Sequence, residues 1–180
     1  YEMGYSGKAK FMNFLIDEIK NKKIQVENIT NNYGSSLLLK LIEYYPEKFK
    51  LILNNKINLK KIESLLIHYT IKNQEKIDIF EFLIKKGINI HSKDNNGNSS
   101  LHIAANYNNY KVIGYLVNRK AKLDLENMNG KRPVDLVSES DKIRWYAATG
   151  NIEKLKEELA KGINIDIKDR AGRSLLHIAV

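Results

Sequence analysis

The sequence predicts an all-α solenoid of stacked helix–turn–helix units joined by short β-hairpin-like fingers. Three observations carry that expectation. Asp94-Asn95-Asn96-Gly97-Asn98-Ser99-Ser100-Leu101-His102-Ile103-Ala104-Ala105 returns near the C-terminus as Asp169-Arg170-Ala171-Gly172-Arg173-Ser174-Leu175-Leu176-His177-Ile178-Ala179. A partial copy, Asn127-Met128-Asn129-Gly130-Lys131-Arg132-Pro133-Val134-Asp135-Leu136-Val137, lies between them. The step from Gly97 to Gly130 is about 33 residues, a period of stacked repeats. Gly87 and its counterpart Lys120 are separated by the same interval, each closing a segment with helically spaced apolar positions. A unit this small cannot bury its apolar side alone, so each repeat needs neighbours.

From the N-terminus, Phe11 to Lys23 is amphipathic through Phe14, Leu15, Ile16 and Ile19 and suits a helical cap within residues 1–34. Ser36 to Ile42 and Pro46 to Leu53 form a helix pair, with Pro46 in a first turn where its missing N–H costs nothing. Leu66 to Ile71 reads as a worn first helix, and Ile79, Phe80, Leu83 and Ile84 as a second helix ending at Gly87. The best-formed unit begins at Gly97: a short helix through Ala104-Ala105, a break at Asn108-Asn109, then Val112, Ile113, Leu116 and Val117 on one helix face. Ala121 to Gly130 alternates and ends in turn residues, as a finger should.

Gly130 to Gly172 is longer than the period by about nine residues. The irregular repeat at 130–162 is expected to hold three helices in place of two, the first begun at Pro133 and the second capped by Ser138 or Ser140 and closed at Thr149-Gly150. Ile152, Leu155 and Leu159 define the helix that follows. A lone Trp145 ahead of Ala147-Ala148 is expected in the core. The Asn106 to Tyr110 stretch is expected at a helix–helix turn, outside the interior.

These features resemble the ankyrin repeat: a glycine, a threonine-proline-leucine-histidine stretch, paired alanines, then a second helix ending near glycine. The resemblance is strong over 87–180 and divergent before it, with an array expected over 35–180. It implies structural roles for Gly97, Leu101, His102, Gly130, Pro133, Gly172 and His177, the imidazoles acting as struts between neighbouring turns with Ser99 and Ser174 capping. In the middle copy Arg132-Pro133 replaces threonine-proline and Asp135 replaces the histidine, so the hydrogen bonds there must differ.

The same resemblance implies a non-catalytic scaffold that receives a protein partner on its concave face and finger tips. The positions it marks are Asn96, Asn98, Asn106, Tyr107, Met128, Lys131, Arg132, Arg170 and Arg173. Four are basic and the chain carries 30 Lys+Arg against 21 Asp+Glu, a formal +9, so an acidic partner with salt-sensitive association is expected. The basic residues are scattered and lack a nucleic-acid motif, which argues against a nucleic-acid partner. The alternative is the recognition part of a longer effector or toxin; the missing initiator Met and the stop inside a motif point to a piece of a longer chain.

No catalytic residue is expected. A histidine beside a serine recurs without a third orienting group, and four separated histidines without cysteine have no metal-ligand spacing. Gly97, Gly130 and Gly172 lie in no phosphate-binding string, and Asp124, Glu126 and Asp166 lack calcium-loop spacing, so no cofactor is expected. The absence of cysteine and of a secretory pattern suits an intracellular, cytoplasmic location, or the host cytoplasm for a secreted effector, and no apolar run reaches the roughly 18 residues that span a bilayer.

Overall fold

A computed structural model describes residues 10, 13–14, 16–19, 21, 37–53, 63–73, 76–166, 168 and 172–179. Its helices are α1 (Leu37–Tyr44), α2 (Pro46–Leu53), α3 (Glu63–Lys72), α4 (Ile77–Lys85), α5 (Ser100–Asn106), α6 (Tyr110–Asn118), α7 (Lys142–Thr149), α8 (Ile152–Ala160) and α9 (Leu175–Ala179). Two 3-10 turns, Pro133–Leu136 and Glu139–Asp141, precede α7. Sheet structure among the described residues is limited to one isolated antiparallel bridge, Lys93 with Ser99, at the base of a finger. Most of the proposed cap, including Phe11 and Leu15, and Ser36 of the first helix pair lie outside the described residues. Ile16 and Ile19 within the cap are buried, and Phe14 is exposed.

The first helices stack in one row, α1 on α3 on α5 on the 133–136 turn, and α2 packs on α4 behind them. Their inward faces make one apolar core from Leu38, Leu41, Phe49, Leu66, Ile67, Ile79, Phe80, Leu101, Val112, Ile113 and Leu116, continued by Ile143 and Trp145. Ala104 and Ala105 are fully buried, which lets backbones approach where larger side chains would hold them apart. Phe80 meets Tyr115 edge-to-face at 5.2 Å, joining α4 to α6. The Asn106 to Tyr110 stretch divides: Asn106 and Tyr107 are exposed, whereas Asn109 and Tyr110 are buried. The Asn109 side chain is what draws it in: it accepts from Val112 N at 3.3 Å to cap α6 and donates to Ile71 O at 3.0 Å.

The two described finger tips are Asx-type turns repeated in register. Asp94 Oδ1 accepts from the amides of Asn96 and Asn98, and one period later Asn127 Oδ1 accepts from Asn129 and Lys131. Neighbouring fingers are bonded: Met128 N donates to Asn96 O at 3.0 Å, and Asn127 Nδ2 to Asn98 Oδ1 at 2.8 Å. Gly97 is needed twice over. Its φ is +74°, and an added Cβ would lie 3.1 Å from Met128 N.

His102 joins the helix to the fingers. Its Nε2 is 2.8 Å from Lys131 O, and its Nδ1 is 3.2 Å from Ser99 N and 2.8 Å from Ser99 Oγ. A carbonyl only accepts and an amide N–H only donates, so the ring is neutral with its proton on Nε2. His177 keeps the Ser174 Oγ contact at 2.7 Å and is exposed.

The irregular repeat follows the expectation in its later part. Pro133–Leu136 is a single 3-10 turn rather than an α-helix, and Ser138 precedes the second 3-10 turn instead of capping α7 directly. The α7 helix then runs to a left-handed Gly150, and α8 follows. Trp145 is 3% exposed, in the core as expected. Asp135 replaces the motif histidine as the acceptor of the Arg132 amide, at 2.8 Å. An ionised carboxylate has no proton to give the next finger, and Arg144 supplies the missing tie by donating Nη2 to Lys168 O at 2.7 Å.

Leu101→Ala and Leu116→Ala, emptying sites that are 1% and 0% exposed, should each cost about 2–5 kcal/mol in urea melts. Asn98→Ala should cost about 1 kcal/mol, because Asn98 bonds both Asp94 and Asn127. A neutral Asn98→Ala would show those bonds to be immaterial. Burial holds the pKa of His102 below its ordinary 6.5, so the folded chain resists a proton that the unfolded chain takes up. Stability should therefore fall as pH drops below 6.5, at up to about 1.4 kcal/mol per pH unit for this group. His102→Gln should flatten that slope, measured as denaturation midpoint against pH.

Candidate functional site

The concave side of the stack opens into a shallow groove of about 480 Å³ between α3, the 94–96 finger tip and α5. The α3 helix contributes Leu65, His68, Tyr69 and Lys72, at i, i+3, i+4 and i+7 and so on one face. From the finger come Asp94, Asn95 and Asn96, and from α5 and its C-cap Ile103 and Tyr107. Leu65 is 40% and Tyr107 36% exposed, leaving large apolar groups open to solvent at both sides. Lys72 Nζ stands 5.5 Å from the Tyr107 ring centroid, which fixes a cation at the edge of the groove.

The groove is polar at one wall. Burial lowers the pKa of His68, with the Asp94 charge opposing it. Its Nε2 is buried and lacks a hydrogen-bond partner among the described residues. Burial works to raise the Asp94 carboxyl, but hydrogen bonds from the Asn98 side chain and from the amides of Asn98 and Asn96 outweigh it and hold the group below its ordinary 3.8. Asp94 is therefore ionised and committed to the finger turn, which leaves it poorly placed as a general base. Among the described residues no three His, Cys, Asp or Glu side chains converge as metal ligands. The arrangement can hold a side chain and offer hydrogen bonds; it shows no activated nucleophile.

The residues marked from sequence separate into groups. Asn96 and Tyr107 line this groove. Met128, 76% exposed, sits on the next tip against Gly97. Asn106 and the Lys131 side chain are exposed without lining the groove. Asn98 is half-buried and taken up by Asp94 and Asn127. Arg132 spends its charge on Asp135, with Nε to Oδ2 and Nη2 to Oδ1 both at 3.1 Å. Arg173 lines a separate cleft between α6, α7 and α9, and Arg170 lies outside the described residues.

Sequence reasoning missed Leu65, His68 as a wall residue, Tyr69 and Lys72. Their repeat lacks the glycine–leucine–histidine signature, so only the helical spacing of 65, 68, 69 and 72 could have exposed them. No helix of the described residues is long and apolar enough to cross a membrane.

The family model described as ankyrin repeats, in three copies, matches residues 38–127, half of the chain and including the divergent units before Gly87. A putative ankyrin repeat protein of Acanthamoeba polyphaga mimivirus is 36% identical over 40% of this chain and 10% of its own length. The nuclear factor NF-kappa-B p105 subunit of Gallus gallus is 26% identical over 80% of this chain and 14% of its own. Alpha-latroinsectotoxin-Lt1a of Latrodectus tredecimguttatus is 27% identical over 69% of this chain and 8% of its own. The chain thus spans a small fraction of the length of these relatives. With the helix pairs, the bonded fingers and the matched half in agreement, the chain belongs to the ankyrin repeat family.

Proposed function

We propose that this chain is a non-catalytic docking scaffold whose protein partner seats in the groove between α3, the 94–96 tip and α5. The observation that carries the proposal is the exposure of Leu65 and Tyr107, large apolar groups lining one groove, with Met128 exposed on the next finger tip. Ankyrin repeats generally serve as protein–protein interaction modules, which supports the same assignment. The fitting partner inserts one apolar side chain between Leu65, Ile103 and Tyr107. It carries acidic groups toward Lys72, Lys93 and Lys131, all exposed.

A second reading places this array as the recognition part of a longer effector or toxin. It is favoured by the small share of its relatives that the chain spans and by the latroinsectotoxin among them. The sequence of the complete reading frame decides it.

Leu65→Asp and Tyr107→Ala should weaken partner capture about tenfold or more, while Ile152→Asp, on the exposed side of α8, should leave it intact. Quantitative mass spectrometry of proteins retained by each variant measures this, with melting curves confirming equal folding. Raising the salt should release the retained proteins. If both groove variants keep the proteins that wild type keeps, the groove is not the docking site.

A further inference from the structure

Two finger tips carry the same dipeptide in the same place, Asn96-Gly97 and Asn129-Gly130, one repeat period apart. We propose that Asn129 is a self-modification site, deamidating through a cyclic imide, and that the fold protects its counterpart Asn96. In this reaction the Gly130 backbone nitrogen gives its proton to solvent base and attacks Asn129 Cγ. A C–N bond forms, the Cγ–Nδ2 bond breaks, and the side-chain nitrogen takes a proton from solvent and leaves as ammonia. Water then opens the five-membered imide at either carbonyl, leaving aspartate or isoaspartate. No oxidant, metal or enzyme is required. Glycine in the following position leaves the attacking nitrogen uncrowded, because it has no Cβ.

The local turn does not distinguish the two sites. Gly97 N donates to Asp94 O and Gly130 N to Asn127 O, both at 3.0 Å. Tertiary packing does. Ring closure must rotate the peptide that joins asparagine to glycine, so the tip has to open first. At the first tip the Asn96 carbonyl that would rotate is held by Met128 N at 3.0 Å. Gly97 is buried beneath Met128, whose Cγ would lie 3.2 Å from an added Cβ. At the second tip Asn129 and Gly130 are both exposed, and among the described residues no atom lies within 4 Å of a Cβ added at Gly130. An exposed tip opens at far lower free energy than a clamped one.

Conversion places a new carboxylate two residues from Lys131, within the basic tip that faces an acidic partner. That consequence depends on the docking function proposed above; the modification itself does not.

The test needs no partner. Folded chain and urea-unfolded chain are held at mildly alkaline pH, and peptides containing each site are followed by mass spectrometry for replacement of amide by carboxylate and for isoaspartate. In the folded chain Asn129 should convert several-fold faster than Asn96. In urea the two rates should converge, since the dipeptides are identical. Met128→Ala, which trims the side chain above Gly97, should speed Asn96 without altering Asn129 by as much, and Asn129→Gln should abolish the signal at the second tip. Equal rates in the folded chain would overturn the proposal. So would no conversion at either tip while the unfolded chain converts, because the shared turn bond would then be sufficient protection.

Discussion

Every element of this molecule depends on one constraint: no helix pair is large enough to enclose its own apolar face. The described helices run from five to ten residues, below the length at which an isolated helix holds in water. Stability therefore comes from contact with the next unit, and each first helix must present apolar groups on more than one side. Leu101 and Ala104 of α5 meet that demand, as do Leu66, Ile67 and Ile71 of α3. The concave groove is a by-product of the same constraint. Once the first helices stack in a row with fingers projecting beyond them, the angle between helix face and finger is left open.

Stacking alone would let units slide, because apolar contact is non-directional. The fingers set the register through directed bonds. Met128 N on Asn96 O, Asn127 on Asn98, and His102 on the Lys131 carbonyl together tie one unit to the next. This makes the irregular repeat informative. Asp135 preserves the bond within its own turn and forfeits the bond to the following finger. Asp141 and Arg144 then stand at the same cap and third-residue positions of α7 that Ser99 and His102 hold on α5. Arg144 contacts Asp141 and reaches a carbonyl of the next finger, as His102 does with Ser99 and Lys131. A guanidinium has donors enough for both bonds.

This division explains what is legible in the sequence and what is not. The repeat is legible because Gly97, Gly130 and the buried Leu101-His102 pair answer to local backbone geometry, which leaves a residue-type signature. Trp145 is placed by its apolar neighbours. The 3-10 turn at Pro133–Leu136 is hidden, since Pro133 with Val134, Leu136 and Val137 is an equally good start for an α-helix. Asn98 has the sequence context of a free tip because its partner Asn127 is a full repeat away. The α3 wall of the groove is hidden because divergent repeats keep their packing while losing their motif.

The charge of the chain needs the same care. A formal +9 describes composition, yet several cations are already answered locally: Arg132 by Asp135, Arg144 by Asp141, Lys142 by Glu139, Lys154 by Glu157 and Lys161 by Glu158. Each of these pairs joins side chains one helical turn apart, and most are at the surface, where such pairs add little to stability. Their larger effect is on the field, because they cancel positive charge along the C-terminal units. Lys72 is different: it lies over an aromatic ring at the groove edge, where its charge remains directed at whatever enters. On the docking function proposed above, the net charge would draw an acidic partner to the molecule in general, while cations such as Lys72 at the groove edge would bias where on the concave face it settles.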